Sequence, residues 1–210
     1  MERPDDLRRR LEELENRSWD IRQIEGRLRD MARMGRGERS FDPLSLKRIE
    51  REALLDEVQR RAEEYEYLSR NCAKGAALAL MELFGVGSIE MVKGMSAFPG
   101  IGMTGWICGA VTGVLFFFGQ YFGDDDVTNY EATGKVMGAA REFISRFHKT
   151  VGTIICPEIH ERIVFGRYMD PRASEENLRA FREAKGYEKC ALLPGIAARI
   201  AVEVILADQP

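Results

Sequence analysis

No two cysteines of this chain stand closer than 34 residues, and none belongs to a C-x-x-C pair. That absence excludes a local zinc knuckle and a thioredoxin-type dithiol motif, both of which need two thiols within a few positions. Histidine is scarce too: His148 and His160 are the only two. Strand signals are missing, with no alternating β-branched run and no hairpin turn. Positive charge is not in excess, since 31 Lys and Arg face 34 Asp and Glu, for a net charge of -3. The clustered basic face of a nucleic-acid binder is therefore not expected. The charged start Met1-Glu2-Arg3-Pro4-Asp5-Asp6 runs into no apolar stretch, so no secretory signal is expected and the reading is cytoplasmic. Thiols stay reduced there, which disfavours structural disulfides for Cys72, Cys108, Cys156 and Cys190. Free, metal-bound or redox-active thiols remain.

What is present divides near residue 70. Residues 1–70 hold 17 Lys/Arg and 18 Asp/Glu, half of their positions, whereas the other 140 hold 14 and 16. Leu7, Leu11, Leu14, Ile21 and Leu28 space an amphipathic seam, with Ser18 and Glu25 in its gaps. The glycines of Met34-Gly35-Arg36-Gly37 are expected to stop that helix, and Asp42-Pro43 to start a second one lined by Ile49, Ala53, Val58, Ala62, Tyr65 and Leu68. Together they predict a charged αα-hairpin, residues 1–60, serving oligomerisation or docking, ahead of a helical domain over 61–210. The fold class is all-α, a helical bundle.

In the second part, an apolar helix opens after Asn71 and ends at Gly85. A short helix over 88–97 and a glycine-rich loop from Phe98 to Gly105 lead to an apolar helix through Phe122, expected to start at Thr104 or Gly105. Further helices are predicted over 129–149, 157–165, 174–184 and 195–207. Residues 95–123 carry no charge, and the 18 or so that follow the glycines are just long enough to span a bilayer. Gly109 and Gly113 add a small-x-x-x-small face. No second span follows, and a central bundle helix is as apolar, so a membrane span is not expected.

Each cysteine falls beside a predicted helix start. Asn71 is placed to cap the helix of Cys72, Cys156 precedes Pro157, and Cys190 precedes Pro194-Gly195. Helix N-termini offer unpaired N–H groups and partial positive charge, which lower a thiol's pKa and favour anionic ligands. Gly109 and Gly113, four apart on one face, would leave room for inorganic sulfide or a closely packed helix.

These residues also form a known pattern. Asn71-Cys72-Ala73, the Phe98-x-Gly100-x-Gly102 loop, Cys108-Gly109-Ala110-x-x-Gly113, then Cys156 and Cys190 in order resemble the C-GCAxxG-C-C family, over roughly residues 60–207. The family label denotes redox activity, without a well-established reaction. The resemblance implies a redox or metal role for the four cysteines, with Gly109 and Gly113 as motif glycines. Two departures stand out: Ser69-Arg70-Asn71 lacks the glycine expected before the first cysteine, and residues 1–60 lie outside the family core.

Other motifs read as structure. His148 sits late in its helix, where a cation is favoured; His160, a turn beyond Cys156, would reach the same site as a fifth ligand or proton donor. Glu158 complements its helix dipole. Gly100-x-Gly102-x-x-Gly105 has no preceding strand, which excludes a dinucleotide fingerprint. Asp124-Asp125-Asp126 lacks the glycine and glutamate of a calcium loop and reads as an N-cap cluster. Arg33, Arg36 and Arg39 read as a solvated linker. Three functions follow. The first is a redox protein whose four cysteines hold an iron–sulfur or other metal–thiolate centre and which passes electrons to a partner protein, as a homo-oligomer or subunit. The second is a thiol–disulfide protein with Cys108 attacking, and the third a non-catalytic adaptor with the cysteines as core.

Overall fold

The computed structural model describes residues 4–33 and 48–207, and among them every regular element is a helix. The expected helix stop at Gly35 and Gly37, the Asp42-Pro43 start and the linker arginines Arg36 and Arg39 lie outside the described residues.

The leucine seam is carried by two helices rather than one. α1 (Pro4–Asn16) starts with proline and two acids in its first turn and buries Leu7, Leu11 and Leu14. α2 (Ile21–Arg33) follows a break at which Asp20 Oδ1 accepts the Gln23 N–H at 3.0 Å and Trp19 stacks on Tyr67, centroids 4.3 Å apart. The break resets the helical phase, so Ile24 is buried while Ile21, the expected seam residue, is exposed. α3 (Arg48–Ser69) buries Leu55, Val58, Ala62 and Tyr65; the expected Ala53 faces solvent.

α4 (Cys72–Phe84) is apolar on nearly every side and lies between α3, α7 (Gly109–Phe122) and α12 (Leu192–Ala207). Asn71 caps it as expected, its Oδ1 accepting the N–H groups of Ala73 and Lys74 at 3.1 Å. Gly113 permits the α4–α7 approach: a Cβ there would stand 2.3 Å from the Ala73 carbonyl oxygen. α8 (Tyr130–Val151) covers α7 and α12, capped by Asn129 rather than by the aspartates; Asp124 instead accepts the Asn129 side-chain amide at 2.9 Å.

Shorter pieces complete the bundle: α5 (Ile89–Gly94) with a 3₁₀ turn behind it, a single turn α6 (Gly100–Met103), α9 (Cys156–Ile159) running into a π-helical turn His160–Val164, α10 (Glu175–Glu183), and α11 (Gly186–Cys190). The apolar helix after the glycine loop has 14 residues, starting at Gly109 instead of Thr104 or Gly105, and is short for a bilayer. Residues 186–207 are long and apolar enough to cross one, but 72% of that apolar window is buried in the molecule.

Candidate functional site

The four cysteines, far apart in the chain, meet at one end of the α4–α7 contact. Cys72 is the first residue of α4 and Cys108 the residue before α7. Cys156 opens α9, as its place before Pro157 predicts. A short antiparallel bridge between Ile107 and Ile155 pins two of them together. The Cys108 N–H donates to the Ile154 carbonyl at 2.8 Å, and the Cys156 N–H to the Trp106 carbonyl at 2.9 Å. That pairing holds residues 106–107 extended, which is why α7 begins at Gly109. Cys190 departs from expectation: it ends α11, and α12 starts at Leu192 with Pro194 and Gly195 inside. Proline fits there because the first turn of a helix leaves its N–H groups unpaired anyway.

Two pairings organise the thiols. Cys108 donates its S–H to Cys72, and that hydrogen bond, helped by the N–H groups of Gly109, Ala110 and Cys72 itself, holds the Cys72 thiol below its usual range against the cost of burial. The same bond and burial push Cys108 well above. Gly109 makes this contact sterically possible, since a Cβ there would lie 2.4 Å from the Cys72 sulfur. Cys156 and Cys190 form the second set around His160, whose Nε2 stands 3.8 Å and 3.7 Å from their sulfurs. Burial, then the charges of Cys72 and Asp170, push Cys156 up to about 12. Burial, then Glu66, Cys156 and Cys72, raise Cys190 well above its usual range.

His160 is buried and held neutral, its pKa brought down to about 4 by desolvation. The Met169 N–H donates to its Nδ1 at 3.4 Å, which puts the ring proton on Nε2, facing the two sulfurs. In this tautomer His160 is a donor to sulfur, not the ligand that was the other sequence expectation. His148 is exposed at the end of α8, and Glu158 pairs with Arg162 at 3.5 Å.

Cys72, Cys156 and Cys190 line a cavity of about 670 Å³, while Cys108 sits behind Cys72 without reaching it. Its lining includes a residue that sequence reasoning missed. Glu66 is fully buried and accepts the Asn71 N–H, yet its Oε2 has no partner. Burial and the neighbouring Cys72 push its carboxyl well above the usual range. Nothing in the run Glu63-Glu64-Tyr65-Glu66 separates it from solvated acids, except that Glu66 lies one turn from Ala62 on the packed side of α3.

The chemistry of this donor set fits a metal–thiolate group. Three of its four thiols resist ionisation because they are buried beside one another, a penalty that a positively charged core relieves while releasing their protons. Among the described residues, no three donors converge on one point as a single ion requires.

No curated protein and no solved structure matches the chain. A family model does, over residues 70–204, under the description "Putative redox-active protein (C_GCAxxG_C_C)". With four cysteines in order and the model spanning well over half its length, this chain belongs to the C-GCAxxG-C-C family.

Proposed function

We propose that this chain is a cytoplasmic electron-transfer protein in which Cys72, Cys108, Cys156 and Cys190 hold an iron–sulfur or related metal–thiolate centre. The gathering of four distant thiols into one buried region, Cys72 with Cys108 and Cys156 with Cys190 around His160, carries the reading. Packing two helices does not require it, and dithiol exchange would need only two of the four. When bound, such a centre supplies one-electron storage, with a potential tuned by hydrogen bonds to sulfur and by solvent access. The chain's own part is to offer Cys72 two backbone N–H groups from α7, to direct the His160 Nε2 proton at Cys156 and Cys190, and to bury the set. Anaerobic purification followed by iron, sulfide and zinc assays with an absorption spectrum tests it. Iron with acid-labile sulfide and visible absorption is expected; metal-free, colourless protein overturns it.

A second reading, thiol–disulfide exchange, is favoured by the asymmetry of Cys72 and Cys108. Cys72 faces the cavity and ionises first, so it takes the attacking role that sequence reasoning assigned to Cys108. The Cys72 thiolate attacks a disulfide substrate, one substrate sulfur leaves as thiolate, and a mixed disulfide forms. Cys108 then loses its proton and attacks the Cys72 sulfur, releasing the second substrate thiolate and leaving a Cys72–Cys108 disulfide. The substrate gains two electrons and the chain loses two. Mild oxidation of metal-free protein would then remove two free thiols and give a linked Cys72–Cys108 peptide; unchanged thiols would exclude it.

A further inference from the structure

We propose that the outward face of α8 pairs with the same face of a second copy of the chain, antiparallel about a two-fold axis between Gly134 and Gly138. α8 turns Ala132, Phe143, Phe147 and Val151 into the core, and an ordinary amphipathic helix would turn charge outward. Its first half does not. Tyr130 is 81% and Met137 59% exposed, and Val127, just ahead of the helix, is 90% exposed. Half of the six large exposed hydrophobics among the described residues thus fall within one stretch of eleven positions. Exposed hydrophobics scattered singly need no explanation, whereas a cluster marks an interaction surface. Gly134 and Gly138 lie on the same face, and a Cβ at either would meet nothing within 4 Å, so no neighbour in the chain requires glycine there. Glycine weakens a helix interior, and the close approach of a second helix accounts for it.

Charge and shape along this face select a second copy as the occupant. Residues 124–135 hold four acids and one base, a net charge of -3, whereas residues 136–149 hold three bases and one acid, a net of +2 with His148 neutral. Glu131 meets Lys135 of its own helix at 2.9 Å and Arg146 meets Glu142 at 2.7 Å, but the opposite sign of the two ends remains. Laid antiparallel about the midpoint of the two glycines, Glu131 of each copy comes level with Arg141 of the other, and Asp126 with Arg146. At the C-terminal end of the helix, Arg141, Ile144, Ser145 and Ile154 help to line an open cavity of about 390 Å³. The same register brings Val127 of the second copy level with Ser145, beside that cavity, and Tyr130 one turn away. Each copy then presents an apolar projection at one end and a hollow at the other, the self-complementarity that a two-fold interface needs. A parallel pairing would set acid against acid and base against base.

Other occupants fit less well. The leucine seam expected to serve oligomerisation is already spent inside the chain, with Leu7, Leu11, Leu14 and Ile24 buried. An anionic membrane surface would be repelled where the apolar residues are, because Asp124, Asp125, Asp126 and Glu131 stand among them. The 22 residues of α8 span about 33 Å, so the paired face runs for about three turns on either side of the axis. No α8 residue lines the cavity beside the cysteines, and the pairing is independent of the redox reading.

Sedimentation velocity of the intact chain as isolated, at low ionic strength and over about 1–100 µM, tests it. A dimer that dissociates on dilution is expected. Met137→Glu should raise its Kd about tenfold or more, by placing a buried charge in the contact. Glu131→Arg and Arg141→Glu should each weaken it about tenfold, and the double variant E131R/R141E should recover most of the loss, because the two positions face each other across the axis. Arg179→Glu, on the exposed side of α10, should have no effect. Met137, Glu131 and Arg141 are all exposed in the single chain, so urea midpoints of the variants should stay close to wild type. A monomer at every concentration, a dimer indifferent to Met137→Glu, or a double variant weaker than both singles overturns the proposal. So does a monomer that co-sediments with phosphatidylglycerol vesicles, which would assign the face to lipid. The outcome of the metal assay bears on none of these results.

Discussion

Gly109 packs directly against the Cys72 sulfur, and the consequence of that close approach can be measured. Replacing Gly109 by alanine drives a methyl group to within 2.4 Å of the Cys72 sulfur, so either the sulfur or the α4–α7 contact must shift. Gly109→Ala is expected to cost about 1–3 kcal/mol, as overpacking does, read from urea midpoints of metal-free protein. The Cys72–Cys108 asymmetry gives a second test. Iodoacetamide applied to reduced, metal-free protein should label Cys72 before Cys108, because Cys72 lines the cavity and is the more ionised thiol. Peptide mass spectrometry at short times checks it, and equal labelling would show that the two are equivalent. Cys72 and Cys156 were legible in the chain because a cap and a proline mark helix starts locally. Cys190 was not: Pro194-Gly195 looks like a helix start, but both residues fit inside one, and the true start lies upstream at Leu192.

Single elements show where local signals suffice. Asn71 has the geometry its sequence position predicts, with two N–H groups on Oδ1 and its amide reaching the Ser96 carbonyl at 3.3 Å. Asn71→Ala is expected to lower stability by about 1 kcal/mol, while Asn71→Asp retains most of the cap. Because α4 carries Cys72 on its first turn, the alanine variant should also slow Cys72 alkylation; an unchanged rate would mean that the cap only stabilises. The start of α7 was misplaced for a physical reason. Thr104 and Gly105 have helix-start chemistry, but Trp106 and Ile107 are recruited as extended backbone by the segment before Cys156, some fifty residues later. No local pattern announces a partner at that distance.

Across the whole molecule, the charged N-terminal helices are tied to the apolar core by a buried ionic contact. Glu63 of α3 is fully buried and receives Arg10 and Arg17 of the first thirty residues, the latter at 2.6 Å. It also packs on α12, where a Cβ at Gly195 would stand 2.6 Å from its Oε1. Removing one partner of a buried pair leaves uncompensated charge, so Glu63→Ala should destabilise the chain by about 3 kcal/mol. Chemical unfolding should show it; a change below 1 kcal/mol would mean that the arginines find water instead. One hydrophobic cluster runs from Leu7 to Ile205, so these helices share their core with the cysteine-bearing ones.

Periodicity and end signals in the chain were enough for the all-α class, the apolar character of α4 and α7, the Asn71 cap and the family motif. Each depends on residues within one or two helical turns, where spacing translates directly into a shared face. Tertiary structure alone decided which thiol gives up its proton more readily, that Cys190 joins the set from the end of a helix, and that His160 offers a proton to sulfur. It also decided that Glu66, one acid among many in a charged helix, is the one buried against the cysteines. Those properties arise from groups tens of residues apart whose burial and charge act on one another, and they exist only once folding has removed the water between them.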